Sequence, residues 1–260
     1  MIPETVSEFH GGYEPFSECS QLSEIIVEEG NPHYESIDGV LFARKEKKLI
    51  QYPCAKAEDY KVPEGTVMIG GGAFAWSCVN SIIIPEGVKL IGTTAILNCR
   101  NLTYIRLPAS LEEIEKNTLS AGNNPGNPKL TIIDLAKDNP HFKNVDGVLF
   151  TADGKGLIRC PACKLGEYTL PKGVTHIYPY AFCNTKITSI TFPEGCKSIG
   201  LGAFEYNGQL TEAHIPASVT EIGGWCFCNC GANLTIYAPK GSKAEEHAKS
   251  NGHKFQAVEK

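Results

Sequence analysis

Residues 192–204 read FPEGCKSIGLGAF, and residues 215–227 read IPASVTEIGGWCF. The same frame stands at 62–74 (VPEGTVMIGGGAF), 84–96 (IPEGVKLIGTTAI), 107–119 (LPASLEEIEKNTL) and 170–182 (LPKGVTHIYPYAF). In each copy an apolar residue precedes a proline, and an isoleucine follows that proline by six positions. Four or five positions later comes a small residue paired with an aromatic or aliphatic one, as in Ala73-Phe74 and Ala203-Phe204. Prolines 63, 85 and 108, then 171, 193, 216 and 239, lie 22 or 23 residues apart within each run. Nine residues before the next proline there is often a Cys or Asn: Cys99, Asn184, Asn207 and Cys230. The stretch leading into each proline alternates, as in LTYIRLP at 102–108, where Leu102, Ile105 and Leu107 are spaced to point inward.

A unit this short cannot bury its own apolar side chains, but stacked copies bury them in columns of Ile, Phe and Leu. The period and the Cys/Asn slot are the signature of a leucine-rich repeat. The alternating stretch predicts one short strand per unit, in a parallel sheet on one face, ended by a proline that has no N–H for the ladder, with short helical or irregular turns on the convex side. A second recurrence sits on top of the first. NPHYESIDGVLF (31–42) and NPHFKNVDGVLF (139–150) are offset by 108 residues, and so are the two groups of repeat prolines. The larger block therefore contains the doublet and the short units after it. Each copy leads through DGVLF to a second strand-like run, KLIQYP or GLIRCP, with ARKEKK (43–48) and TADGKG (151–156) as hairpin tips. We read 28–62 and 136–170 as long, hairpin-bearing turns, with Asp38-Gly39 and Asp146-Gly147 as turn chemistry.

The chain reads as one continuous domain: a solenoid of about nine turns over 1–238, then a cap over 239–260. In the cap, Ser242 with Glu245 forms a capping box before a short helix, Gly252 suits its end, and KFQAV adds a last strand. The N-terminal IPETVSEFHGGYEPF fits a repeat with two extra residues before Phe16. Met1 falls two residues before a repeat proline, so no polar cap precedes the first unit. That is the expectation either for a fragment of a longer protein or for a chain that starts with an unusually bare edge.

Bulk properties narrow the partners. Of 260 residues, 42% are hydrophobic and 20% charged, enough for a sizeable core, and the net charge is −5. Nucleic acid and anionic membranes need clustered Lys and Arg, so neither is expected. No apolar run approaches the roughly 20 residues of a membrane span. MIPETVSEFHGG lacks the basic-then-apolar order of a signal peptide.

Taken together, the IP-x-x-V-x-x-IG-x-x-AF units and the N-P-x-[YF]-x-x-x-DGVLF units resemble the BspA-like leucine-rich repeat proteins, from Ile2 to about Pro239. The chain departs from that pattern at GNNPGNP (122–128), at Ile96 and Leu119 where Phe is usual, and in the missing secretion signal. The resemblance implies a surface-exposed or secreted microbial protein, extracellular or cell-surface, that mediates adhesion or host contact.

The motifs that could carry chemistry read more simply as repeat positions. Cys160-Pro161-Ala162-Cys163 has the form of a redox pair or half a zinc site, but no second C-x-x-C completes it. Cys226, Cys228 and Cys230 alternate in WCFCNC, where Cys226 fills the small-residue slot and Cys230 the Cys/Asn slot. His33 and His141 recur because their corner recurs. The Gly pairs at 70–72 and 223–224 lack the G-K-[ST] of a phosphate loop. No catalytic residue, metal or cofactor is expected, and the chain is read as non-enzymatic.

The expected function is recognition of a protein or glycan on the outward side of the stacked strands. Two residues before each proline or its equivalent lie Ile26, Lys61, Ile83, Arg106, Asp134, Thr169, Thr191, His214 and Tyr237. Four before lie Tyr104, Ile132 and Glu212, among others. The binding face is placed on Lys61, Ile83, Tyr104, Arg106, Asp134, Thr191, Glu212, His214 and Tyr237. Two other readings stay open: a purely architectural segment of a larger surface protein, and a thiol-dependent enzyme using Cys160 and Cys163.

Overall fold

The structure, a computed structural model, describes residues 1–9, 15, 16, 18–119 and 126–259. The tip of the first repeat (10–14 and Ser17) and most of the GNNPGNP insertion (122–125) lie outside the described residues. Two compact units make up the chain, Met1–His141 and Phe142–Lys260. In the first, the strands are β1 (Tyr34–Ile37), β2 (Val40–Ala43), β3 (Lys48–Gln51), β4 (Asp59–Lys61), β5 (Met68–Ile69), β6 (Ser81–Ile83), β7 (Leu90–Ile91), β8 (Tyr104–Leu107), β9 (Glu113–Ile114) and β10 (Ile132–Leu135). They form two sheets, ordered β4–β6–β8–β10 and β1–β2–β3–β5–β7–β9.

The second unit repeats the plan. It contains β11 (Phe142–Val145), β12 (Val148–Thr151), β13 (Gly156–Arg159), β14 (Leu165–Thr169), β15 (His176–Ile177), β16 (Lys186–Thr191), β17 (Ser198–Ile199), β18 (Glu212–His214), β19 (Glu221–Ile222), β20 (Thr235–Pro239), helix α1 (Lys243–Asn251) and β21 (Lys254–Val258). Its sheets run β14–β16–β18–β20–β21 and β11–β12–β13–β15–β17–β19. Each unit folds as a leucine-rich repeat β-solenoid of mostly parallel strands, and among the described residues the one helix is the short α1 near the C-terminus. The strands before the prolines form the longer-strand ladders, as the alternation predicts. The isoleucine six residues after each proline forms a second ladder of two-residue strands, in place of the expected short helical or irregular convex turns.

The doublet is a structural corner with a buried amide at its centre. Asn31 Oδ1 accepts from the backbone N–H groups of His33 (2.9 Å) and Tyr34 (2.8 Å). Its Nδ2 donates to the carbonyls of Pro3 and Val6 in the preceding turn. Asn139 does the same, accepting from the His141 N–H and donating to the carbonyls of Pro108 and Leu111. The histidines recur because their backbone is held by the asparagine, and both rings face solvent. Beyond the corner, the expected single hairpin is a three-stranded meander. Asp38 and Gly39 (φ 51° and 75°), like Asp146 and Gly147 (φ 51° and 83°), turn the chain between the first two strands. Positive φ at both central residues is what a two-residue hairpin loop with the right strand twist requires. Val40, Phe42, Val148 and Phe150 are buried alike in the two copies.

Inside each unit the repeat columns fill the core. Phe182, Phe204 and Phe227 stack nearly parallel, with centroids 4.9 and 5.2 Å apart. In the first unit the same column holds Phe74, Ile96 and Leu119, all buried. The backbone between stacked residues is also paired turn to turn. Phe74 N–H donates to Ala95 O, Phe182 N–H to Ala203 O, and Phe204 N–H to Cys226 O. These bonds satisfy polar groups that irregular turns would otherwise bury unpaired.

Counting forward 14 residues from prolines 63, 85, 171, 193 and 216 locates the polar slot: Ser77, Cys99, Thr185, Asn207 and Cys230. There Cys99 Sγ reaches Phe74 O and Cys230 Sγ reaches Phe204 O, both at 3.1 Å. Asn207 Nδ2 donates to the carbonyls of Phe182 and Phe204. Asn184, assigned to this slot by counting back from the next proline, is not in it. Its unit is one residue shorter, so Thr185 takes the place, and Asn184 holds a left-handed backbone (φ 57°) beside it.

The cap follows the sequence reading. Ser242 Oγ accepts from the Glu245 N–H, and Gly252 closes α1 in the left-handed region (φ 72°). The reciprocal bond comes one residue early: Glu245 Oε2 accepts from the Gly241 N–H at 2.6 Å. Beneath the helix, His247 stacks on His253 at 6.2 Å, and both stand edge-on to Phe227. Burial, with His253 and Lys243 nearby and only Glu246 opposing, pushes His247 down to about 4. An unfolded imidazole protonates near 6.5. The unfolded chain therefore binds a proton that the folded cap refuses between about pH 6.5 and 4. Stability is full above that window and falls as pH drops through it. Amide hydrogen exchange in α1 is expected to accelerate from pH 7 to pH 5, after correction for intrinsic rates, and His247→Phe should flatten that dependence.

Candidate binding faces

Parity along each longer strand decides which side chains are available. In β8, Ile105 and Leu107 are buried while Tyr104 and Arg106 point away from the core. The parallel register then aligns outward residues across the sheet. Lys61 pairs with Ile83, Ile83 with Arg106, and Arg106 with Asp134. Beside that row runs Asp59, Ser81, Tyr104 and Ile132. Tyr104 Oη donates to Asp134 Oδ2 at 2.8 Å, tying the two rows together. Burial, then the Asp134 carboxylate, holds the Tyr104 hydroxyl above its ordinary value. Ile132 is 49% exposed on this face, an apolar side chain with no core to fill.

The second unit presents its own two rows. Thr169, Thr191, His214, Tyr237 and Gln256 form one, and Glu167, Ser189, Glu212, Thr235 and Lys254 the other. The His214 ring lies flat on Tyr237, with centroids 4.6 Å apart and planes 11° apart. Glu212 Oε2 is 3.2 Å from His214 Nε2. A groove bordered by Thr191, Glu194, Pro216 and Val258 runs alongside this pair. The structure thus places Lys61, Ile83, Tyr104, Arg106 and Asp134 on one sheet, and Thr191, Glu212, His214 and Tyr237 on another. Gln256 and Lys254 extend the second set and were not foreseen. Their signal was the KFQAV strand, whose register follows only once β21 is known to pair in parallel with β20. Ile26 is exposed but belongs to no regular strand.

Six of the cysteines, Cys54, Cys99, Cys160, Cys183, Cys196 and Cys226, are buried, whereas Cys78, Cys163, Cys228 and Cys230 are half-buried and Cys19 is exposed. All eleven cysteines are present as thiols. Burial pushes Cys160 and Cys230 up to about 12 and holds Cys226 well above its usual value. A nucleophilic or redox thiol needs the reverse, a lowered value and access to solvent. Among the described residues no group of three or more His, Cys, Asp or Glu side chains is placed to hold a metal ion. Likewise no helix is long and apolar enough to cross a membrane.

Among the described residues two buried charged side chains, Arg159 and Glu205, escaped the sequence reading. Arg159, 1% exposed, donates from its guanidinium to the carbonyls of Tyr180 and Cys183 in the next turn. Gln51, also buried, holds the equivalent place in the first unit, but its amide donates to the carbonyl of the adjacent Tyr52 rather than across to the next turn.

Comparison with known proteins agrees with this architecture. The solved structure of a leucine-rich repeat protein from Eubacterium ventriosum is similar at a TM-score of 0.53 and 22% identity, covering 78% of this chain and 68% of that one. The pneumococcal vaccine antigen PcpA is similar at a TM-score of 0.50 and 15% identity, covering 95% and 92%. At these identities the likeness is one of fold. Comparison with curated protein sequences gives no match. The model of the BspA type leucine rich repeat region matches in six copies, over residues 47–135 and 161–251. Those two stretches make up more than half of the sequence, and the chain belongs to the BspA-type leucine-rich repeat family.

Proposed function

We propose that this chain is a non-catalytic recognition module that binds a protein partner through the outward rows of its longer-strand ladders. The observation that carries this reading is the in-register row itself, above all the His214–Tyr237 stack flanked by Glu212. Core packing leaves these side chains unconstrained, yet they are pre-ordered. Rigid aromatic surface with a polar edge is what binding hot spots are made of. In the first unit Tyr104 and Arg106 offer the same chemistry. Family membership supports placing this activity at a microbial cell surface, in adhesion or host contact.

For a protein partner found by screening host extracellular proteins against the immobilised chain, two double variants test the reading. Tyr104→Ala with Arg106→Ala, or His214→Ala with Tyr237→Ala, should weaken binding by roughly 2 kcal/mol or more, a typical hot-spot loss. The melting temperature should hold, since none of these side chains fills the core. If both variants bind normally with the fold intact, the site lies elsewhere, and the hairpin tips at 43–48 and 151–156 become the next surfaces to change.

A further inference from the structure

The shorter-strand sheet of the second unit carries a trench on a different face from the ladder proposed above. Its floor is the outward side of β13, β15, β17 and β19. The tip between β12 and β13, with Asp153 and Lys155, stands at one end, and Lys243 of α1 lines the other. Along the floor, Ile177 and Ile199 are buried while His176, Ser198 and Glu221 face outward. Two positions further on come Tyr178, Gly200 and Gly223. Gly200 and Gly223 line the floor with backbone, packed so closely on the preceding turn that a Cβ at either would collide with it. The Tyr178 ring lies over Gly156 at its edge and is 44% exposed.

The repeat does not demand this tyrosine. The first unit has Gly70, Gly92 and Glu115 at the same offset from its prolines. One and two residues on, the second unit exposes Leu201 (39%) and Trp225 (56%), where the first has Gly, Thr, Lys or Asn. The left-handed backbone of Trp225 (φ 54°) belongs to the repeat, since Gly72, Thr94, Asn117, Tyr180 and Gly202, each nine residues after its proline, share it; only the exposed indole is particular to this position.

The lining chemistry indicates the ligand. Asp153 and Glu221 are balanced by Lys155 and Lys243, so no net field selects an anion or a cation. Ser198 and Thr220 add hydroxyls. Donors and acceptors are mixed around an aromatic face and a flat glycine floor, about 14 Å long for four strands spaced about 4.8 Å apart. A sugar chain offers the complement, with hydroxyls at its edges and C–H groups on its ring faces. We infer that this trench binds a neutral β-linked oligosaccharide, its rings lying over Gly200 and Gly223 and one of them stacked on Tyr178.

The test is titration of the intact chain with cellotetraose and chitotetraose by calorimetry, with Tyr178→Ala, Tyr178→Phe, Ser198→Arg and His214→Ala alongside. At least one sugar should bind saturably. Tyr178→Ala should weaken it at least about tenfold, and Ser198→Arg, which fills the floor from an outward position, should do the same. Tyr178→Phe should retain binding, as should His214→Ala, which separates this site from the ladder. The melting temperature should be unchanged throughout. Failure of both sugars to bind overturns the inference, and so does binding that Tyr178→Ala and Ser198→Arg leave unchanged.

Discussion

Phe204→Ala is expected to destabilise the second unit by about 3–5 kcal/mol, the range for removing a fully buried phenyl ring. The size follows from where the ring sits. It is sandwiched between Phe182 and Phe227, and Phe192 meets it edge-on at 5.7 Å. The neighbouring turns are also held together by backbone hydrogen bonds through this residue, so they cannot collapse freely into the void. Phe204→Leu should cost much less, because the first unit fills the same column with Ile96 and Leu119. Urea denaturation followed by near-ultraviolet circular dichroism measures both. Equal losses for the two variants would show that the column is not packed as described.

Gly223→Ala is expected to cost about 3 kcal/mol, the upper end of ordinary overpacking. A Cβ there would lie 2.4 Å from the Leu201 backbone nitrogen. Gly200 meets the backbone of Pro179 in the same way, at 2.5 Å. Backbone cannot swing aside as a flexible side chain can, so the two turns must separate. Gly208→Ala is the control, since nothing lies within 4 Å of its added Cβ. That change should be neutral or stabilise by about 0.4–1 kcal/mol through the unfolded chain. Thermal melts of the pair should diverge sharply, and matching melting temperatures would refute the contact.

The glycine that follows four of the six repeat isoleucines illustrates what the sequence could and could not reveal. Its recurrence was legible, and so were the Phe column, the inward Ile105 and Leu107, and the outward Arg106 and His214. All of these depend on spacing counted along the chain. The second ladder was not legible, because strands of two residues such as Ser198–Ile199 are too short to show an alternating period. What defines them is pairing with the turns on either side, as Ile177 with Ile199 and Ile199 with Ile222. The slot error at Asn184 has a similar origin. Counting back from the next proline crosses the strand, where a unit gains or loses a residue, while counting forward crosses only the tightly packed turn. The Tyr104–Asp134 bond and the His214–Tyr237 stack depend on which residues of adjacent strands stand side by side. The trench depends on an aromatic side chain next to missing ones.

The hydrogen bonds between turns have a mechanical consequence. In each unit they run along the stacking direction, from Phe182 to Ala203 and from Phe204 to Cys226, for example. A pull on the end of the chain therefore loads the outermost turn before any other, and each turn yields as a separate event. A released turn of 22 residues lengthens the chain by roughly 75 Å at about 3.4 Å per residue. A stack built this way gives under load in steps and lets out slack, with the turns behind the break still closed.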